Sequence, residues 1–106
     1  QSSGYKQAGN TILYASSTIF GTFVGQSAGA GVIAIATSSS VTSGTNNTVL
    51  GYQAMQNSTS SQNVAIGYQA LKGSAASTNG GSFNTAVGYI ALSSNTSGAV
   101  NVTVNI

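Results

Sequence analysis

Short stretches in which bulky and small side chains alternate recur along the chain and predict β-strands. The clearest, at residues 63–68, reads Asn-Val-Ala-Ile-Gly-Tyr, rich in β-branched and aromatic residues and too short for an amphipathic helix. Because side chains alternate across a strand, the valine, isoleucine and tyrosine share one face, and the asparagine, alanine and glycine share the other. We therefore expect the bulky face to form a packed interior and the small face to approach another strand, coil or subunit.

The same pattern occurs six times around an aligned position that is glycine in four copies. Those glycines, at 25, 51, 67 and 88, are separated by spacers of unequal length rich in Ser, Thr, Asn and Gly, which predict turns and loops. The strong copies are Asn47–Met55, Asn63–Leu71 and Asn84–Leu92; a variant lies at Gly21–Gly29, and weak copies lie at Asn10–Ala15 and Asn101–Ile106. Such repetition is the signature of a stacked repeat architecture.

A unit this short cannot bury its apolar face alone, so stacked copies predict an all-β parallel solenoid of five or six coils. We expect one repeat domain over 1–106, with weak coils at 1–46 and strong coils at 47–106. In such a stack, equivalent residues of successive coils form ladders. One of them is an asparagine ladder of Asn10, Asn47, Asn63, Asn84 and Asn101. The predicted structural repeat positions are Asn47, Gly51, Tyr52, Asn63, Ile66, Gly67, Tyr68, Asn84, Val87, Gly88 and Tyr89.

Two of these ladders allow a functional interpretation beside the structural one. The asparagine amides either satisfy backbone groups at a bend or bind a ligand, and the first role is typical of solenoids. The tyrosines either pack at the strand ends or form an aromatic platform for a sugar. We favour the structural role in both cases.

The composition argues against most chemistry. The chain has no Asp, Glu, His or Cys and only two charged residues, Lys6 and Lys72. It therefore lacks the usual proton-transfer groups, metal ligands and disulfides, and we expect neither an enzyme nor a cofactor. Two lysines cannot supply the phosphate contacts of a nucleic-acid binder. The longest apolar run, Ala28–Ala36, is far below the roughly 20 residues of a membrane-spanning helix.

Attachment sites are expected in the variable loops, because the residues of the repeat itself are needed to form the fold. The two candidate loops are Thr37–Asn46 and Lys72–Phe83. Within the second loop, a Ser–Lys pair would indicate hydrolysis, but no oxyanion hole accompanies it and a solvated lysine is the favoured interpretation. The candidate surface-binding residues are Lys72, Ser74, Asn79 and Gly80.

Residues 62–67, Gln-Asn-Val-Ala-Ile-Gly, resemble the head repeat of trimeric autotransporter adhesins. The longer Asn-Thr-Ala-Val-Gly-Tyr-x-Ala-Leu at 84–92 resembles repeats of bacteriophage tail fibres and bacterial surface fibres. This resemblance implies a left-handed parallel β-roll assembled as a homotrimer on a cell surface or virion. It also implies an extracellular structural and adhesion role and a host receptor or glycan as partner. Because the chain starts at Gln1 without an initiator methionine, we expect it to be a processed segment or an excerpt of a longer fibre protein.

Oligomerisation is also expected on physical grounds, because a thin, elongated monomer would expose too much apolar area. Two other self-assembling classes stay open. A row of hydroxyls from Thr11, Thr22, Thr48 and Thr85 is typical of an ice-binding β-solenoid, although Val64 interrupts it and the spacing is irregular. Asn- and Gln-rich strands of low charge are also typical of a functional amyloid, although frequent glycine and uneven loops oppose it.

Overall fold

The computed structural model describes residues 4–16, 21–30, 44–73 and 81–105. Within these ranges, seven β-strands form one mixed sheet, ordered across the sheet as they are along the chain. The predicted all-β class is confirmed at this level. The strands are β1 Tyr5–Gln7, β2 Asn10–Ser16, β3 Gly21–Val24, β4 Thr48–Leu50, β5 Val64–Ile66, β6 Thr85–Val87 and β7 Val102–Val104.

Strands β3 to β7 are parallel and pair position for position. The middle residue Val49 of β4 lies beside Phe23 of β3 and Ala65 of β5. Ala86 of β6 in turn lies between Ala65 and Thr103 of β7. The uneven spacers therefore do not shift the strands, and equivalent positions of the repeat are adjacent across five strands.

The first two strands depart from this arrangement. β1 and β2 form an antiparallel hairpin, and β2 also pairs antiparallel with β3. A two-residue turn at Ala8 and Gly9, both with positive φ, joins β1 to β2. Only four residues separate Ser16 from Gly21, whereas a parallel crossover needs a dozen or more. The prediction that Asn10–Ala15 is another parallel copy is therefore wrong.

The interior lies on the small face of the strands, opposite to the predicted side. Ala65 and Ala86 are completely buried and Val49 is 1% exposed, whereas Leu50 is 47% and Tyr68 42% exposed. The prediction that the bulky face forms the interior is therefore wrong for the single chain. The buried apolar cluster comprises Tyr14, Phe23, Ala28, Val49, Ala54, Met55, Ala65, Ala70, Leu71, Ala86 and Ala91.

The turn segments that follow the strands explain why the small face is buried. These segments hydrogen-bond to one another, as in the bonds from Met55 N to the Ala70 carbonyl at 2.9 Å and from Leu71 N to the Ala91 carbonyl at 2.8 Å. The fully buried side chains of Met55 and Leu71 occupy the space beside the strands. The centres of β5 and β6 accordingly carry the small residues Ala65 and Ala86. Phe23 and Val49 occupy the same position in β3 and β4.

The dimensions of the chain do not support the expectation of a thin monomer. The radius of gyration is 12.2 Å and the extents are 33 × 29 × 23 Å, close to the ~13 Å expected for a compact domain of this length. The accessible surface of 5432 Å² also matches the roughly 5,400 Å² expected for this mass. Excess total surface therefore gives no reason to oligomerise, and any such reason must come from how the apolar surface is distributed.

Candidate functional site

Four asparagines at the entrances of consecutive strands are linked by hydrogen bonds. The side-chain Oδ1 of Asn47 accepts a bond from the backbone N–H of Asn63 at 2.9 Å. Asn63 Oδ1 accepts from the N–H of Asn84 at 2.8 Å, and Asn84 Oδ1 accepts from the N–H of Asn101 at 2.9 Å. Each of the first three side chains thus binds the backbone of the next repeat unit, just before its strand begins.

The amide nitrogens of these residues are also occupied. Asn47 Nδ2 donates to the carbonyls of Gly44 and Ser60 at 3.0 and 2.9 Å. Asn63 Nδ2 donates to Ser60 Oγ at 2.9 Å. Asn47, Asn63 and Asn84 are at most 1% exposed. These buried amides hold the chain at the bend before each strand, and a ligand in solvent has no access to them.

The repeated glycines mark where successive units approach most closely. Gly51, Gly67 and Gly88 have φ of 139, 129 and 122°, a region that other residues rarely adopt. A Cβ added at Gly25 would lie 2.6 Å from the carbonyl oxygen of Gly51, and the corresponding approach is closer still at the next three glycines. Only glycine fits this position when another unit is stacked against it.

The opposite side of the parallel strands forms an uncharged, largely apolar surface, which we call the outer face. The outer face consists of two aligned columns of side chains. Three of its apolar side chains, Leu50, Val102 and Val104, are 47%, 79% and 63% exposed. The columns are Thr22, Thr48, Val64, Thr85 and Val102, and Val24, Leu50, Ile66, Val87 and Val104. It is the surface most suited to an apolar partner among the described residues.

The tyrosines that follow Gly51, Gly67 and Gly88 form a stack. The ring centroids of Tyr52 and Tyr68 are 5.6 Å apart with planes 13° from parallel, and those of Tyr68 and Tyr89 are 5.3 Å apart at 12°. All three remain exposed, by 42–64%. The middle ring has a neighbour on both sides, so its faces are occupied by other tyrosines and not available to a sugar.

The candidate loop residues are placed only in part. Lys72 is half-buried and directly precedes the buried Gly73, while Phe83 at the other end of the loop is 55% exposed. Asn57 Nδ2 donates to the Gly73 carbonyl at 3.2 Å and ties the start of the loop to the preceding unit. Ser74, Asn79 and Gly80 lie outside the described residues, as do residues 37–43 of the other candidate loop.

No group of potential metal-ligating side chains occurs in the described part of the chain. The sequence contains no His, Cys, Asp or Glu. Within the described ranges, no helix has the length and apolarity needed to cross a membrane. The described surface offers apolar side chains, hydroxyls and amides, which can recognise shape, apolar groups and hydrogen-bonding partners.

Sequence reasoning missed two structural features of the repeat. Alternation predicted two faces, but the interior depends on the turn residues Met55 and Leu71, which the strand pattern does not include. The buried pair Ser58 and Ser60, with Oγ atoms 2.8 Å apart, was also missed. The only sequence feature that could have indicated this pair is its position three to five residues before Asn63.

Comparison with known proteins gives no relative from which a function could be transferred. No family model matches the chain, and no curated protein or solved structure shows significant similarity to it.

Proposed function

We propose that the chain is a non-enzymatic structural fibre and adhesion module, located outside the cell or on a virion. In this proposal it is a left-handed parallel β-roll that forms a homotrimer and presents variable loops to a host surface. The observation that carries the proposal is the outer face, where apolar side chains of Leu50, Val102 and Val104 remain exposed. The resemblance of residues 62–67 and 84–92 to fibre and adhesin repeats supports it.

A second copy of the chain is the partner that best fits the outer face. Its ten positions carry no charge, so the face offers no electrostatic selectivity for a charged partner and no repulsion against its own copy. Because equivalent residues are aligned from β3 to β7, the face repeats along its length, and identical copies can match it position for position. Burying these side chains would contribute about 25 cal/mol per Å² of apolar area.

The mass of the particle in dilute solution tests the assembly. We expect a trimer by native mass spectrometry and sedimentation, and a shift to monomer for Leu50→Lys, which places a charge in the interface. Ser94→Lys, at an exposed position in a turn segment, is the matched control and should leave the trimer intact. A parent protein that stays monomeric while folded would refute the homotrimer.

Attachment through the loops is tested separately. Scrambling residues 74–80 should abolish retention on immobilised lipopolysaccharide, a glycan panel or collagen, while leaving the thermal unfolding midpoint and the particle mass unchanged. The scramble keeps length and composition, so a lost interaction would reflect the loop sequence alone. If the parent protein binds none of these surfaces, or if the scramble binds as well as the parent, attachment through this loop is refuted.

Ice binding is a second candidate, favoured by one observation. Thr22 and Thr48 are direct neighbours in the outer face, and Thr85 follows after Val64 in the same column. Because the strands pair in register, these threonines share one column of the sheet although they are unevenly spaced along the sequence. Val64 still interrupts the row. Inhibition of ice recrystallisation by the parent, lost in Thr48→Lys, would favour this function over adhesion.

A further inference from the structure

Among the five tyrosines of the chain, those of the stack combine exposure to solvent with a neighbouring phenol ring. Tyr52, Tyr68 and Tyr89 are 43%, 42% and 64% exposed, and each lies beside another of the three. Tyr5 is as exposed as Tyr89, but no ring contact within the described ranges includes it. Tyr14 is 4% exposed and contacts a phenylalanine. A reaction that needs two accessible phenols side by side therefore finds them in the stack.

The geometry of the stack leaves the rings room to turn toward one another. The ring planes lie 12–13° from parallel, yet the centroids are 5.3–5.6 Å apart, which exceeds the ~3.5–4.0 Å between carbon atoms in contact. Neighbouring rings are therefore offset and not pressed face to face. Because exposed side chains rotate within nanoseconds, a Cε atom of one ring, ortho to its hydroxyl, reaches a Cε atom of the next.

We propose that the tyrosine stack is a site of oxidative cross-linking, where a haem peroxidase acting with hydrogen peroxide joins Tyr68 to Tyr52 or to Tyr89 through a dityrosine bond. The fold holds the two phenols side by side, so the coupling is intramolecular and is favoured over coupling between chains. This proposal does not depend on the oligomeric state of the protein or on adhesion.

The reaction is balanced by the peroxide. The peroxidase removes one electron and one proton from each of two phenols, giving two phenoxyl radicals, and reduces one molecule of hydrogen peroxide to two molecules of water. The radicals pair to form a Cε–Cε bond. The hydrogen on each bonded carbon then moves to the phenolic oxygen as the rings regain aromaticity. The two side chains thus lose two hydrogen atoms in total and gain one carbon–carbon bond.

The bond ties together units that are distant in sequence. Positions 52 and 68 are 16 residues apart, and positions 68 and 89 are 21 residues apart. The chain has no cysteine, so oxidation cannot join its units through disulfides. A dityrosine bond restricts the unfolded chain as a disulfide does, and a stabilisation of that kind raises the thermal midpoint by several degrees.

Oxidation of the full chain in dilute solution with a haem peroxidase and hydrogen peroxide tests the site. Denaturing electrophoresis separates single chains from linked chains, dityrosine fluorescence measures the yield, and peptide mass spectrometry identifies the joined residues. We expect single chains that have lost two hydrogen atoms, with Tyr68 joined to Tyr52 or Tyr89, and a higher thermal midpoint after oxidation. Products that are mainly linked between chains, or an intrachain bond made chiefly by Tyr5, would overturn the proposal.

Two phenylalanine variants separate the stack from exposure alone. Tyr68→Phe keeps the ring but cannot form a phenoxyl radical, and it leaves the remaining two tyrosines of the stack without an adjacent phenol. It should lose most of the intrachain dityrosine, while its thermal midpoint before oxidation stays close to that of the parent. Tyr5→Phe removes an equally exposed tyrosine outside the stack and should keep the parental yield. A parental yield in Tyr68→Phe, or a large loss in Tyr5→Phe, would contradict the site.

Discussion

The side-chain oxygen of Asn63 accepts a hydrogen bond from the backbone N–H of Asn84 at 2.8 Å, across 21 residues of sequence. This contact joins the start of one strand to the start of the next, independently of the intervening loop. It explains how spacers of different length can connect strands that remain in register. The asparagine at the entrance of each strand is therefore as much a part of the repeat as the glycine at its end.

Removing this amide should destabilise the fold strongly. Asn63→Ala leaves the Asn84 N–H without its acceptor in a buried site and removes the donor to Ser60 Oγ. An unsatisfied buried group costs about 1–3 kcal/mol, so we expect at least that loss in the free energy of unfolding, measured by urea denaturation. Asn10→Ala, at an exposed asparagine in β2, is the control and should change little. Equal effects of the two variants would contradict the structural role of the ladder.

Gly67→Ala should be more harmful than an ordinary glycine substitution. The added Cβ would collide with the Gly88 carbonyl, and φ is 129°. Gly9 has a positive φ of 80° but no atom within 4 Å of an added Cβ, so Gly9→Ala measures backbone strain without the collision. Strain at such φ values costs of order 1–3 kcal/mol, and the excess at Gly67 should appear as a lower denaturation midpoint. A midpoint for Gly67→Ala as high as that for Gly9→Ala would refute the steric explanation.

The sequence was sufficient to predict the parallel register but not the side that is buried. Aligned glycines such as Gly51 and Gly67 identify equivalent positions directly, because each is required by close packing against the next unit. Alternation defines two faces without saying which is covered, and the turn residues that decide this lie outside the strands. The strand around Asn10 failed as a repeat because its short link to β3 permits only antiparallel pairing.

The buried small face leads to a prediction about side-chain volume. Ala65 is completely buried in the middle of β5, so Ala65→Leu should overpack the interior. Such changes typically cost about 1–3 kcal/mol, and thermal unfolding should show a lower midpoint. Ala99→Leu adds the same bulk at an exposed position outside the outer face and should have almost no effect. If both substitutions were tolerated equally, the interior would not lie on the alanine side.

The tyrosine stack should contribute measurable coupling energy. Aromatic pairs contribute about 0.5–1.5 kcal/mol beyond burial, and Tyr68 contacts two partners at 5.6 and 5.3 Å between centroids. A double-mutant cycle with Tyr52→Ala and Tyr68→Ala should therefore give a favourable coupling within that range. The same cycle on Tyr52 and Tyr89, which have Tyr68 between them, should give much less. Absence of coupling in the first cycle would show that the rings are neighbours without mutual stabilisation.

The stability of the protein should be almost independent of pH between about 5 and 7, because no Asp, Glu, His or Cys is present to bind or release protons on unfolding. Asn63→Asp provides the contrast. Burial at a site that is 0% exposed should raise the folded-state pKa of the new carboxyl above its unfolded value of about 3.9. The carboxyl is then tolerated at low pH, and stability is lost as the pH rises through the folded-state pKa. Thermal midpoints at matched ionic strength should be flat for the parent and fall with pH for the variant. A parent midpoint that changes between pH 5 and 7 would contradict the prediction.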